Sequence, residues 1–178
     1  MESDLDPLWD DRRYHELLSV MERRRSEWSP IASGLWLDGT RGGLPFIGLH
    51  GRNQVFETDV AALGSIGPGW EIAIPESAER IASDGAVWDD AERCYAQVQR
   101  VAGQLWGDRP FVLGGFSQGG RRALQIGLAH GTRAKGVLAV APMVLRSAEI
   151  AEVVRAVGRP PWPRVAILAG EEDPAASG

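Results

Sequence analysis

Hydrophobic and polar positions follow two different rhythms along this chain. Over the first 29 residues, Leu8, Tyr14, Leu17, Leu18 and Met21 recur at helical spacing among charges, which predicts an amphipathic helix. Ser29-Pro30 closes it, because proline cannot extend the hydrogen-bond ladder. Short apolar runs then take over. Gly34 to Asp38 and Leu44 to Leu49 read as strands on either side of a Thr40–Gly43 turn, and are expected to form an antiparallel pair. Beyond them, strands and helices alternate. Helices are expected around Val55 to Gly64, from Asp89 to Trp106, from Gln118 to Ala129 with His130-Gly131 as its end, and from Ser147 to Val157. Strands are expected at Trp70–Ile74, Phe111–Gly114, Val137–Val140 and Val165–Ala169, and a loop over Pro75 to Val87. Runs such as Val137-Leu-Ala-Val140 have no polar alternation, as suits strands covered on both faces. The fold class that follows is α/β: a mostly parallel sheet between helices, in one domain spanning 1–178 with 1–29 as a helical N-terminal segment.

Composition narrows the function classes. The chain has 178 residues, 44% hydrophobic and 24% charged, with a formal net charge of −5. That is enough for one sizeable core. An acidic balance disfavours a nucleic-acid partner, and Arg23, Arg24 and Arg25 read as a solvated helix face. No apolar run reaches the ~18 residues of a membrane span. Met1 to Asp10 carries Glu2, Asp4, Asp6 and Asp10 and no basic residue, unlike a secretory signal, so a cytoplasmic location is expected. Cys94 is alone, which leaves no intramolecular disulfide and no cysteine-rich metal site.

The chemistry-bearing segment is Gly115-Phe-Ser-Gln-Gly119, set between the strand Phe111–Gly114 and a helix. In that context G-x-S-x-G is a nucleophile elbow: a sharp turn lifts the serine hydroxyl off the sheet, and the helix N-terminus behind it favours a developing anion. Ser117 is the candidate nucleophile. His50-Gly51-Arg52 ends the strand Leu44–Leu49, where a turn presents a backbone N–H. The N–H groups of Arg52 and Gln118 are the expected oxyanion donors. The strand Val165–Ala169 runs into Gly170-Glu-Glu-Asp-Pro174, so Asp173 is the preferred acid, with Glu171 and Glu172 as neighbouring alternatives.

Several segments together resemble the phospholipase/carboxylesterase family of α/β-hydrolases, which includes acyl-protein thioesterases: Phe46-Ile-Gly-Leu-His-Gly51, Ala73-Ile-Pro-Glu-Ser77, Trp88-Asp89-Asp90, Leu113-Gly-Gly-Phe-Ser-Gln-Gly119, Leu138-Ala-Val-Ala-Pro142 and Leu168 to Pro174. The resemblance covers about three quarters of the chain. It implies hydrolysis of small-molecule carboxylic esters or thioesters through an acyl-enzyme, without cofactor or metal. His50, Gly51 and Trp88 would then lie at the substrate pocket. Two departures stand out. The family carries more glycines after its His-Gly, where this chain has Arg52-Asn-Gln54, and it places its catalytic histidine some tens of residues beyond the acid.

The sequence contains three histidines, His15, His50 and His130. His15 lies in the N-terminal helix. His130 is separated from Ser117 by a helix that rises ~1.5 Å per residue, nearly 20 Å in all. His50 is the nearest, but comes from the oxyanion strand. The expectation is a chain that stops short of the family's last helix and its general base, leaving Val165–Ala169 as an edge with exposed apolar surface. The competing reading is a non-catalytic hydrolase-fold binding protein or inactive fragment. A nucleotide-binding turn is disfavoured, since Gly114–Gly120 lacks both G-x-G-x-x-G spacing and a P-loop lysine.

Overall fold

The computed structural model describes residues 12, 13, 15, 16, 19, 35–55, 60, 66–82, 85–128, 132–143 and 163–170. The chain divides into two compact units, Met1–Ala32 and Ser33–Gly178. In the first, Arg12, Arg13, His15, Glu16 and Ser19 are helical and exposed. Arg12 Nε sits 2.9 Å from Glu16 Oε1, an i,i+4 pair across one turn.

The second unit holds strands β1 (Leu35–Gly39), β2 (Leu44–Leu49), β3 (Trp70–Pro75), β4 (Glu79–Ala82) and β5 (Gly85–Val87), then helix α1 (Ala91–Trp106), strand β6 (Phe111–Phe116), helix α2 (Gln118–Leu128), and strands β7 (Ala134–Val140) and β8 (Arg164–Leu168). Six strands make one sheet in the order β1-β3-β2-β6-β7-β8, parallel except for β1. Every residue of β2 after Leu44 is buried. A strand buried on both faces needs a neighbour on each edge, and β2 takes β3 and β6. Isoleucine, leucine and alanine side chains on one face (Ile47, Leu49, Ala73, Leu113) join the core under α1 and α2; Phe46, Ile72 and Ile74 form a second core on the other face with Val60, Ile66, Val112 and Leu138. Helix α1 turns Cys94, Val98, Val101, Ala102 and Trp106 inward at helical spacing. It begins where Asp90 Oδ1 accepts from the backbone N–H of Glu92 and Arg93, both at 3.0 Å.

Two expectations are corrected. β1 does not pair with β2: it runs antiparallel to β3, Leu35 opposite Pro75 and Gly39 opposite Glu71, although Thr40–Gly43 is the turn between them. Thr40 N–H donates to Trp70 O at 2.7 Å and Leu44 N–H to Gly69 O at 2.8 Å, so the turn straddles the end of β3. The segment Pro75 to Val87 is not a plain loop, because it contains the β4–β5 hairpin. Ser77 holds that hairpin, donating its hydroxyl to Val87 O at 2.5 Å and accepting from Glu79 N–H at 3.0 Å. The helices expected around Val55 to Gly64 and from Ser147 to Val157, and the His130-Gly131 cap, fall almost wholly outside the described residues. β8 ends the order of described strands with Val165 44%, Ile167 58% and Leu168 55% exposed. Among the described residues, no helix is long and apolar enough to cross a membrane.

Candidate active site

The C-terminal ends of the parallel strands converge on Ser117, which lies between β6 and α2 with φ 51°. Asn53 (56°) and Ala141 (40°) are the other non-glycine residues with positive φ among the described residues, and they follow β2 and β7. Strain of this kind collects where a fold over-determines its backbone. Here the surrounding hydrogen bonds impose it: Ser117 N–H donates to Val140 O at 3.0 Å, and Ser117 O accepts from Arg121 N–H at 3.0 Å and Met143 N–H at 2.9 Å. The glycines flanking the serine are required by close approach. A methyl group on Gly115 or Gly119 would collide with backbone, that on Gly119 lying 2.5 Å from His50 O. Because a left-handed φ suits glycine, Ser117→Gly is expected to raise stability by about 0.5–1 kcal/mol. Thermal denaturation beside the unchanged chain checks this, and a lower melting temperature would refute the strain.

The loop after β2 is built on His50, which is wholly buried. Its Nε2 accepts from Ser77 N–H at 3.0 Å, and its Nδ1 is 2.8 Å from Gly51 O, which can only accept. The ring is therefore the neutral Nδ1–H tautomer, with both nitrogens engaged. Burial is the main reason its pKa falls from 6.5 to about 4. The rest of the loop is fixed from its flanks. Gly51 N–H donates to Gln54 Oε1 at 2.8 Å, and Asn53 N–H to Ala86 O on β5 at 2.9 Å. The backbone N–H groups of Arg52 and Gln118 have no partner among the described residues.

The segment Trp88-Asp89 brackets this loop against the elbow. Trp88 is fully buried, stacks 4.8 Å from the His50 ring, and donates Nε1–H to His50 O at 3.0 Å. Its own N–H donates to Gln118 Oε1 at 3.0 Å. One oxygen of Asp89, Oδ1, accepts from Arg52 Nη1 at 2.5 Å and from Gln118 Nε2 at 2.7 Å. Arg122, from α2, donates to Trp88 O at 2.6 Å and also to Asp89 O. The hydrogen bond from Arg52 is the largest influence holding the Asp89 carboxyl below its usual range. Both partners of that ion pair are about half exposed, so it adds only about 0–1 kcal/mol to folding. Nearby, burial raises the Glu79 carboxyl above its usual range, although Asp90 N–H donates to it at 3.1 Å.

The structure thus brings Ser117, Gln118, His50, Gly51, Arg52 and Trp88 into one constellation. His50 and Trp88 stand behind the loop and expose no surface to a ligand. Phe116, 37% exposed beside Ser117, is the apolar side chain at the surface there. Asp173, Glu171, Glu172 and His130 lie outside the described residues; the chain after β8 is described as far as Gly170. His15 belongs to the first unit. Sequence reasoning gave no role to Ser77, Asp89, Gln54 or Arg122. Ser77 and Asp89 did stand within the family-like segments Ala73–Ser77 and Trp88–Asp90, which was the one signal for those two. Among the described residues, no group of histidine, cysteine, aspartate or glutamate is arranged to hold a metal ion.

No protein-family model matches the chain. No curated protein matches it either. Solved structures do. An uncharacterized protein from Bacillus cereus ATCC 10987 superposes with a TM-score of 0.61 at 22% identity, over 96% of this chain and 57% of that one. The esterase PE8 gives 0.56 at 19% identity, over 78% and 74%. A hydrolase from Pseudomonas aeruginosa PA01 gives 0.53 at 16% identity, over 72% and 50%. The chain therefore spans little more than half the length of the Bacillus protein it matches. At these identities the likeness concerns the fold, which is that of the α/β-hydrolases.

Proposed function

We propose that the chain carries the nucleophile and the oxyanion donors of a serine hydrolase for carboxylic esters or thioesters. The observation that supports this is the strained Ser117 at the mouth of α2, together with N–H groups on Arg52 and Gln118 that have no partner among the described residues. In this reading the Ser117 hydroxyl attacks the acyl carbon, its proton passes to a histidine, and the carbonyl oxygen becomes an oxyanion held by the two N–H groups. Each such donor supplies about 3 kcal/mol of transition-state stabilisation. The leaving alcohol or thiol takes the proton, and water releases the acyl group by the reverse sequence. Asp173, three residues beyond Gly170, is the proposed acid that orients the histidine. His50 is not that histidine, because its nitrogens already bind Ser77 N–H and Gly51 O.

That same engagement of His50 favours a second reading, in which the site holds an acyl ligand without turning it over. A fluorophosphonate probe separates the two. Where a histidine other than His50 serves the site, the hydrolase reading expects stoichiometric labelling that disappears in Ser117→Ala, since phosphonylation needs an activated hydroxyl. Absence of labelling, with the fold intact by circular dichroism, leaves the binding reading standing.

A further inference from the structure

We infer that Asp89 is the positioning residue that sets the two oxyanion donors in register, by tying the side chains of Arg52 and Gln118 to one carboxylate oxygen. This rests on the hydrolase reading above and extends it to a residue to which that reading gave no role. The donors come from two separate elements, the loop after β2 and the first turn of α2, and nothing in a sheet register fixes a loop N–H relative to a helix N–H. Asp89 spans that gap. Its Oδ1 accepts from Arg52 Nη1 at 2.5 Å and Gln118 Nε2 at 2.7 Å. Its own backbone is pinned by Arg122 through Trp88 O and Asp89 O, and Trp88 N–H meets the other end of the Gln118 amide. The Gln118 side chain is thereby held at both of its polar atoms, while the Arg52 guanidinium is held only at its tip. Arg52 lies on an exposed turn, flanked by Asn53 at φ 56°. Without Asp89 the residue carrying the loop N–H has one tether fewer. Oxyanion donors act by being fixed before the charge develops, so a loose donor reduces rate while leaving the fold intact.

The test follows the second-order rate of fluorophosphonate labelling at Ser117, whose phosphonyl oxygen takes the oxyanion's place. It compares the unchanged chain, Arg52→Ala, Asp89→Ala and the double variant. Each single substitution is expected to slow labelling about tenfold or more, and the double no further, because both remove the same link. Asp89→Asn, whose side-chain oxygen still accepts, is expected to recover most of the rate. The NMR order parameter of the Arg52 N–H is measured on the same proteins. It should fall from about 0.85 to below 0.6 in Asp89→Ala, at an unchanged melting temperature. Two independent, multiplying effects, or an Arg52 N–H that stays rigid in Asp89→Ala, would overturn the inference. If the unchanged chain does not label at all, its Ser117 is not activated, and the order parameter alone decides whether Asp89 positions the loop.

Discussion

Gly119→Ala is expected to destabilise the second unit by about 3 kcal/mol, the upper end of what overpacking costs. The new methyl would press on the carbonyl oxygens of Leu49 and His50, the latter at 2.5 Å. Neither can retreat. Leu49 is locked in β2 opposite Gly115, and His50 O already accepts from Trp88 Nε1. The closeness of α2 to the end of β2 is the same closeness that brings Gln118 beside the loop, so the variant should lose Ser117 labelling along with stability. Gly103 supplies the contrast. It lies on the exposed side of α1, where a methyl would meet only Arg133 Nη2 at 3.9 Å. Gly103→Ala should therefore gain about 0.5–1 kcal/mol from helix propensity and a less flexible unfolded chain. Urea denaturation of the two variants side by side decides the matter. A Gly119→Ala protein within 1 kcal/mol of the unchanged chain would mean the elbow is not packed against β2 as described.

Acid should weaken the fold through His50 well before the carboxylates are neutralised. The folded protein holds this histidine at a pKa of about 4, while the unfolded chain returns it to 6.5. Between these values the unfolded state binds more protons, so stability rises with pH across that window. The contribution is complete above pH 6.5, declines as pH falls towards 4, and changes no further below it. A shift of this size corresponds to about 3 kcal/mol. Burial of the ring is the main cause, and protonation would in addition place a second N–H against Ser77 N–H, which now donates to Nε2 at 3.0 Å. Glu79 works in the opposite sense, because its raised pKa makes the folded state the better proton acceptor as pH falls, which softens the net slope. Asp89, with its lowered pKa, adds a further loss at still lower pH. The measurement is urea denaturation from pH 7.5 to 4, with NMR titration of the His50 ring. A ring that titrates near 6.5, or a stability that stays flat over the window, would contradict the buried neutral histidine.

The site was legible where function is written in contiguous residues. Gly115 to Gly119 reads as a strand-to-helix turn because glycine is needed at both flanks, and the collisions at Gly115 and Gly119 are the tertiary form of that requirement. His50-Gly51 was legible as a loop opening at a strand end. Its ring's state was not: the tautomer depends on Ser77 N–H, twenty-seven residues away. Trp88 illustrates the same limit. The family resemblance implied a place at the pocket for it, whereas burial and the bond to His50 O make it a strut behind the loop.

Pattern alone determined the α/β alternation, the central all-apolar strands and the position of the serine turn, because each is a local consequence of side-chain period and backbone conformation. Only the tertiary structure decided that β1 crosses to β3, since a turn fixes which residues are near but not which edge is free. β2 needs both edges covered, and this displaced the hairpin that Thr40–Gly43 suggested. The tertiary structure alone also gathered Arg52, Asp89 and Gln118 around one oxygen atom. Hydrogen bonds between residues dozens of positions apart leave no periodic trace in a chain, because their geometry exists only once the sheet has set its strands in order.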